Sequence, residues 1–508
     1  MTQHAGAVTA SSAVAAEAGA QILRKGGNAI DAAVAAALAS CVADPCNTGI
    51  GGYGGHMVVA RFNSDPVCID FNMWLPAARR AALYRRTYPN FGPHSTAVPN
   101  VVAGLALALE RLGSMRWPEV VEPALGLAAF GVDANSTIRR AFKEADGASF
   151  LEECFLVEPS AAPGSEGGFR FRQPALAETL DKLSRNGPEW FYEGPIGQGA
   201  CDIFRNEGCP ITLRDWVDAP KAATISPASK LEFAAGSLFS APLGTSGSAS
   251  MFATVAAGAA LAEAGDLGSP GAVLSWAQAL ASIWSYRFGA LSGNDFRGVT
   301  PAEWIERALR FKSGSTIPDS TGHTCHLNTC DRHGTLVAVT LTHGPFWFGG
   351  RWAVPNSGVI MNAGMHLLTA AAPINIGERS YAVTHMCPTI AQLANGATLA
   401  IGCPGARRIP TIIGLVLARH LFGGLPLQEA VTRGRFHAET QSRATVEQDR
   451  WSSATVEALR SGFENVENED PSLYYGPLTA IRCEADGRTS FGLDDRIWKG
   501  FASTASPY

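Results

Sequence analysis

Thr324 opens a run of β-branched and small residues, Thr324-Cys325-His326-Leu327-Asn328-Thr329-Cys330, directly after a polar, turn-forming stretch from Ser313 to His323. A threonine hydroxyl holds its proton too tightly near neutral pH to be a good nucleophile. One remedy is to make the threonine a chain terminus, so that its own α-amine serves as general base. That requires the chain to break between His323 and Thr324, by attack of the Thr324 hydroxyl on the preceding carbonyl. A threonine at the head of a strand is more often a simple β-former, so residue type and position alone leave both roles open.

The elements around this residue are those of a layered globular protein. The chain has 508 residues, 46% hydrophobic and 17% charged, with a net charge of −5. That is too apolar for disorder and carries no basic field for nucleic acid. The start lacks a charged segment ahead of an apolar core, so no secretory signal is expected. No apolar run is long enough to span a bilayer, and the expected setting is cytoplasmic. The cysteines number 11 and lack CxxC pairs, which predicts free thiols and no zinc site.

Ser11 and Ser12 can cap a helix from Ala13 to Lys25 that ends at Gly26-Gly27, and Asn28 can cap a second from Ala29 to Ser40. The glycine-dense stretch Gly49 to Gly55 leads into a strand from Met57 to Phe62. Helix is predicted over 101–130, 175–185, 249–288, 409–421 and 427–433. Strands are predicted at 324–330 and 336–342, a hairpin around Asp331-Arg332-His333-Gly334, and at 358–362, 388–393 and 397–402. Strands and helices fall in patches, which predicts an α+β protein with a mainly antiparallel sheet.

The order of short motifs supplies what spacing does not. Gly26-Gly27-Asn28-Ala29-Ile30-Asp31-Ala32-Ala33-Val34 and Gly49-Ile50-Gly51-Gly52 are followed by Val98-Pro99-Asn100, Ala103-Gly104, Pro123-Ala124, Phe191-Tyr192-Glu193-Gly194 and Leu213-Arg214-Asp215. Then come Thr324-Cys325-His326 with Asp331 and Gly334, Met386-Cys387-Pro388-Thr389, Gly402-Cys403-Pro404-Gly405, Arg435-Phe436-His437 and Asp494-Asp495-Arg496. From end to end the sequence resembles the gamma-glutamyltranspeptidase family. The resemblance implies a four-layer αββα N-terminal-nucleophile hydrolase fold and self-cleavage into segments 1–323 and 324–508. These together form one unit, a heterodimer open to further pairing. It also implies Thr324 as nucleophile, Thr342 as the threonine that hydrogen-bonds it, and Gly405 and Ala406 as oxyanion-hole donors. The family usually has glycine at the last of these, but alanine still offers its N–H.

Departures concern the substrate. A gamma-glutamyl group needs partners for an α-carboxylate and an α-ammonium. Asn72 stands where the resemblance places the arginine, and Gly344, Gly364 and Leu367 stand where it places amine binders. Thr384 and His385 replace paired serines. Efficient processing of glutathione is therefore not expected. The segment between Met365 and Met386 is short, which suggests an open pocket. Trp74, Phe346, Trp347 and Phe348 could line a pocket for an apolar or ring-bearing group, or pack in the core. His343, His385, Arg407 and Arg408 are candidates for holding a carboxylate or carbonyl, with one of the two arginines serving structure. Cys325, Cys403 and His56 are expected to be core residues.

The expected activity is hydrolysis of an amide-type acyl bond of a non-glutamyl small molecule through an acyl-enzyme. Alternatives are C–C bond hydrolysis of a keto or conjugated intermediate, as in relatives from alkylproline antibiotic pathways, gamma-glutamyl transfer, and an unprocessed pseudoenzyme. The histidines are dispersed, and the Gly49–Gly55 stretch lacks the lysine and helix of a nucleotide loop. No metal, cofactor, nucleic-acid or membrane partner is expected.

Overall fold

The computed structural model describes residues 6–61, 64–76, 88–160, 168–290, 299–311, 322–367, 374–376, 379–468, 476–496 and 500–505. Two antiparallel sheets form the centre. The first has seven strands in the order Phe501–Ala505, Gly6–Ala10, His323–Cys330, Leu336–Gly344, Gly54–Ala60, Val67–Asp70 and Thr224–Pro227. The second has six, in the order Thr489–Leu493, Thr479–Cys483, Thr398–Gly402, Thr389–Leu393, Gly236–Ser240 and Ser229–Phe233.

Alternation along the strands builds the layers. Val337, Val339 and Leu341 join the core beneath the helices, whereas Leu336 and Ala338 face the second sheet with Ala400 and Ile481. Helices Ala13–Arg24 and Ala29–Ala43 cover the first sheet, with Trp117–Phe130 packed on Ala29–Ala43, and Ser248–Ala264 and Arg408–Leu421 cover the second. This is the expected αββα arrangement.

The helix Ala29–Ala43 is buried along its whole length. Its alanines let elements approach on every side, so its stability comes from packing rather than from an amphipathic stripe. Asn28 caps it as expected, in a capping box with Asp31. Asp31 also accepts from the Ser114 and Met115 backbone N–H groups, at 2.8 and 3.1 Å, and from the Ser114 hydroxyl. One buried carboxylate thus locks the start of this helix to the chain after Val101–Leu112.

Some boundaries differ from the sequence expectation. Helix over 101–130 is two helices, Val101–Leu112 and Trp117–Phe130, parted by Gly113 to Arg116. Likewise 249–288 is Ser248–Ala264 and Pro270–Ala290, parted at Gly265. Apolar periodicity on both sides of each break hid the change of axis. Ser12 is the N-cap of the first helix but makes no side-chain cap bond. The Ser11 hydroxyl lies 3.4 Å from the Cys325 sulfur instead. The strand expected from Met57 begins at Gly54 and ends at Ala60, and Phe62 lies outside the described residues.

All 11 cysteines are buried free thiols. Among the described residues no helix is long and apolar enough to cross a membrane.

The motifs Arg435-Phe436-His437 and Asp494-Asp495-Arg496 meet in a buried ion network. Arg435 pairs with Asp494, and Arg496 pairs with both Asp494 and Glu447. Two cations against two carboxylates leave no net buried charge.

Replacing Asp31 by Ala strands four donors, the backbone N–H groups of Asn28, Ser114 and Met115 and the Ser114 hydroxyl, and should lower unfolding stability by about 3–5 kcal/mol, whereas Asp31→Asn should lose less. Denaturant or thermal unfolding of the two variants checks this.

Candidate active site

Thr324 is buried, near the open end of a central strand. Alternation places it on the same side as His326 and Asn328, whose side chains bond Thr340 and Thr479 between the sheets. The pairing of its strand with Leu336–Gly344 shifts register here. His323 opposes Gly344 and Cys325 opposes Leu341, so Thr342 and His343 together face Thr324. This is a β-bulge, and bulges re-aim side chains where regular pairing would not.

The bulge sets the central contact. The Thr342 hydroxyl donates to the carbonyl oxygen of His323, the bond that must break for Thr324 to become a terminus. The same hydroxyl accepts from the Gly344 backbone N–H at 2.8 Å. Its proton is therefore directed at the carbonyl, where it draws charge onto oxygen and makes the carbon more electrophilic. The buried phenol of Tyr53 also bears on Thr342, a contact that counters the rise in its pKa caused by burial.

A turn lies on the other side. Gly405 and Ala406 precede the helix Arg408–Leu421 with φ of 132° and 49°. Neither N–H donates to another described backbone group. They sit at the positive end of a helix, where an oxyanion is favoured. A Cβ built on Gly322 would stand 2.7 Å from the Ala406 Cβ, so the turn lies directly against the residue before His323. The left-handed backbone at Ala406 costs about 1 kcal/mol that glycine would not pay.

Other expected site residues have other surroundings. Asn72 is buried and its amide bonds backbone, donating to Ala382 at 2.8 Å and accepting from Met73 at 2.8 Å. Trp74 is half-buried in a short strand, opposite Tyr381. Thr384 is buried between His56, 3.3 Å from its hydroxyl, and the Thr245 carbonyl. His56 is a core residue as expected, held also by Asp70 at 3.2 Å. The His343 ring lies against Gly49, where a Cβ would meet its Nε2 at 2.4 Å, and burial pushes its pKa down to about 3. His385 packs at a tilt against Trp284 and Phe288, its pKa held well down by burial and then by Arg287 and Arg407.

Arg407 and Arg408 both meet Glu439, at 3.0 and 3.5 Å, tying the turn to the strand before Glu439. Phe346 is half-buried against Phe91 and His366. Phe348 is core: it is buried and packs with Phe142, Phe150 and Phe155. Cys325 and Cys403 are buried as expected. Part of the segment expected to leave the pocket open, residues 368–373 and 377–378, lies outside the described residues.

Trp347 is buried with the His323 ring on it, 5.0 Å between centroids. Burial, then Arg351 and Arg140, holds the His323 pKa down to about 3. Tyr53, Arg140, Arg351 and Glu439 were not indicated by the sequence. Tyr53 lay within a segment that read only as a turn, and the other three carry no local motif.

The sequence pattern of the family described as Gamma-glutamyltranspeptidase matches residues 15–504. The chain belongs to this family. It is an enzyme of the N-terminal-nucleophile hydrolase class. It is 28% identical to the acylase ACY 1 proenzyme of Pseudomonas sp. (strain SE83), covering 85% of this chain and 82% of that one. It is 27% identical to the oxamate amidohydrolase proenzyme of Klebsiella pneumoniae, covering 82% and 81%. Among solved structures, the fold matches cephalosporin acylase from Bacillus halodurans with a TM-score of 0.81 at 18% identity, over 99% and 96% of the chains. It matches LmbA2991T421A with a TM-score of 0.79 at 19% identity, over 99% and 98%.

Two predictions follow from this geometry. Ala406→Gly should raise stability by about 0.5–1 kcal/mol, read by thermal unfolding, because the left-handed turn no longer carries a Cβ. The depressed pKa of His323 means that the unfolded chain takes up a proton as pH falls through about 6.5, which the folded chain resists until about 3. Stability should therefore fall with pH across that window. In an uncut Thr324→Ala background, His323→Gln should flatten this loss in denaturant titrations at pH 7 and pH 4.

Proposed function

We propose that the chain cuts itself between His323 and Thr324 and that Thr324 then hydrolyses an amide bond of a non-glutamyl small molecule. The observation that carries this is the bond from the Thr342 hydroxyl to the His323 carbonyl, with the Gly405-Ala406 turn packed against the preceding residue. In maturation the Thr324 hydroxyl adds to the His323 carbonyl carbon, and the bond to the Thr324 nitrogen breaks. This leaves an ester and a free α-amine. Water cleaves the ester, giving a His323 carboxylate and restoring the hydroxyl. In turnover the amine takes the hydroxyl proton, the substrate acyl group moves to oxygen, its amine leaves, and water completes the cycle.

The proenzyme relatives support self-cleavage into two chains, and the acylase and amidohydrolase among them support amide chemistry. The glutamyl preference is set aside because the Asn72 amide is already bonded to backbone, and Gly344 and Gly364 offer no side chain. The fold shared with LmbA keeps C–C hydrolysis as the second reading. The same ester would form, but the leaving group would be a stabilised carbanion.

Removing the Thr342 hydroxyl in Thr342→Val should slow maturation at least ~100-fold, the scale of losing one oxyanion donor, while Thr342→Ser retains it. The ratio of cut to uncut chain over time measures this. Rapid quenching of the matured protein with an acyl 4-nitroanilide should show the acyl mass on the 324–508 segment together with nitroaniline release. Maturation without any acyl adduct or amine release across an acyl panel would contradict the amide reading.

A further inference from the structure

Trp347 carries two groups. One is the His323 imidazole, 5.0 Å away and tilted by 41°, and the other is the Arg140 guanidinium, 5.5 Å from the ring centroid. Arg140 is exposed on the helix Ser136–Glu144 and makes no ion pair among the described residues. Arg351 is the second cation that acts on the imidazole; it is tethered by Glu144 at 2.9 Å and lies over Phe91 at 4.2 Å. The His323 Nδ1 is buried without a hydrogen-bond partner. The imidazole thus shares the Trp347 ring with the Arg140 guanidinium and feels the charge of Arg351, with nothing fixing its Nδ1. The guanidinium charge beside the indole suits an anion better than a second base.

Self-cleavage would free the His323 end of the chain to leave this place. The acyl group of His323 is the first that the Thr324 oxygen receives, and it leaves as a carboxylic acid when water cleaves the ester. The substrate acyl group is bound to the same oxygen. In His323 the flat group is separated from the reacting carbonyl carbon by two carbon atoms.

We infer that the space vacated on Trp347 receives the far end of the substrate acyl group, and that this end is a carboxylate or conjugated acid held two carbons beyond the reacting carbonyl. Trp347 walls the space with its apolar surface, and Arg140, with Arg351, supplies the opposing charge. The inference rests on the acyl chemistry proposed above.

Succinyl 4-nitroanilide carries such a carboxylate, and butyryl 4-nitroanilide is its nearest uncharged counterpart. The matured wild type should favour the succinyl compound at least ~10-fold in kcat/KM, equivalent to about 1.4 kcal/mol. Arg140→Ala should reduce that ratio at least ~5-fold, Arg140→Lys should reduce it less, and added salt should lower it in the wild type. Titration calorimetry of succinate and butyrate with the matured protein gives a readout that does not need turnover. Succinate binding lost in Arg140→Ala, with neither anilide hydrolysed, would uphold the pocket and reject amide hydrolysis. Hydrolysis of both anilides at equal kcat/KM, an unchanged ratio in Arg140→Ala, or succinate binding no tighter than butyrate would overturn the pocket. Arg140 is on an exposed helix face, so equal extents of self-cleavage in variant and wild type will show that the fold is kept.

Discussion

The hydrogen bond from Thr342 to the His323 carbonyl exists only because two strands in the middle of a sheet are held one residue out of step at that point. Regular antiparallel pairing would give Thr324 one opposing residue; the bulge gives it Thr342 and His343 together. The register beyond it is not free to slip. A shift by one residue would turn Val337, Val339 and Leu341 out of the helix-facing core and into the layer between the sheets. The covering helices and the second sheet therefore enforce a local irregularity that neither strand would choose alone. Tyr53 and the Gly344 N–H then fix the direction of the hydroxyl, and the Gly405-Ala406 turn closes the site from the second sheet's helix layer.

Around this contact the polar side chains are engaged within the protein. Asn72 spends its amide on the Ala382 carbonyl and the Met73 N–H, and Arg407 is bound to Glu439 beside the turn. Both side chains join one segment of the protein to another. Cation and aromatic character gather around Trp347, which carries the His323 ring and the Arg140 guanidinium. In the proposed reading the same nucleophile serves a different acyl group, since the chemistry of the ester does not depend on what lies at its far end.

How much of this was legible in the sequence depended on how local each feature is. The strand holding Thr324, the Asn28 cap and the glycine turn are written in neighbouring residues, and ordered motifs identified the family. The breaks at Gly113 and Gly265 were hidden because the helices on either side continue the same apolar texture. Trp347 and Phe348 are adjacent and equally aromatic, yet one holds the His323 ring and the other fills a core of Phe142, Phe150 and Phe155. Only the fold separates them. Arg140 and Glu439 come from distant segments with no motif of their own. Their relation to the site arises from tertiary packing, which no local pattern encodes.

The central claim is that Thr324 becomes a chain terminus through its own hydroxyl. Intact mass of the purified protein, wild type beside Thr324→Ala, tests it most directly. The account predicts two fragments in the wild type that meet between His323 and Thr324, and one uncut chain in the variant. An uncut wild-type chain, or the same two fragments in Thr324→Ala, would contradict it.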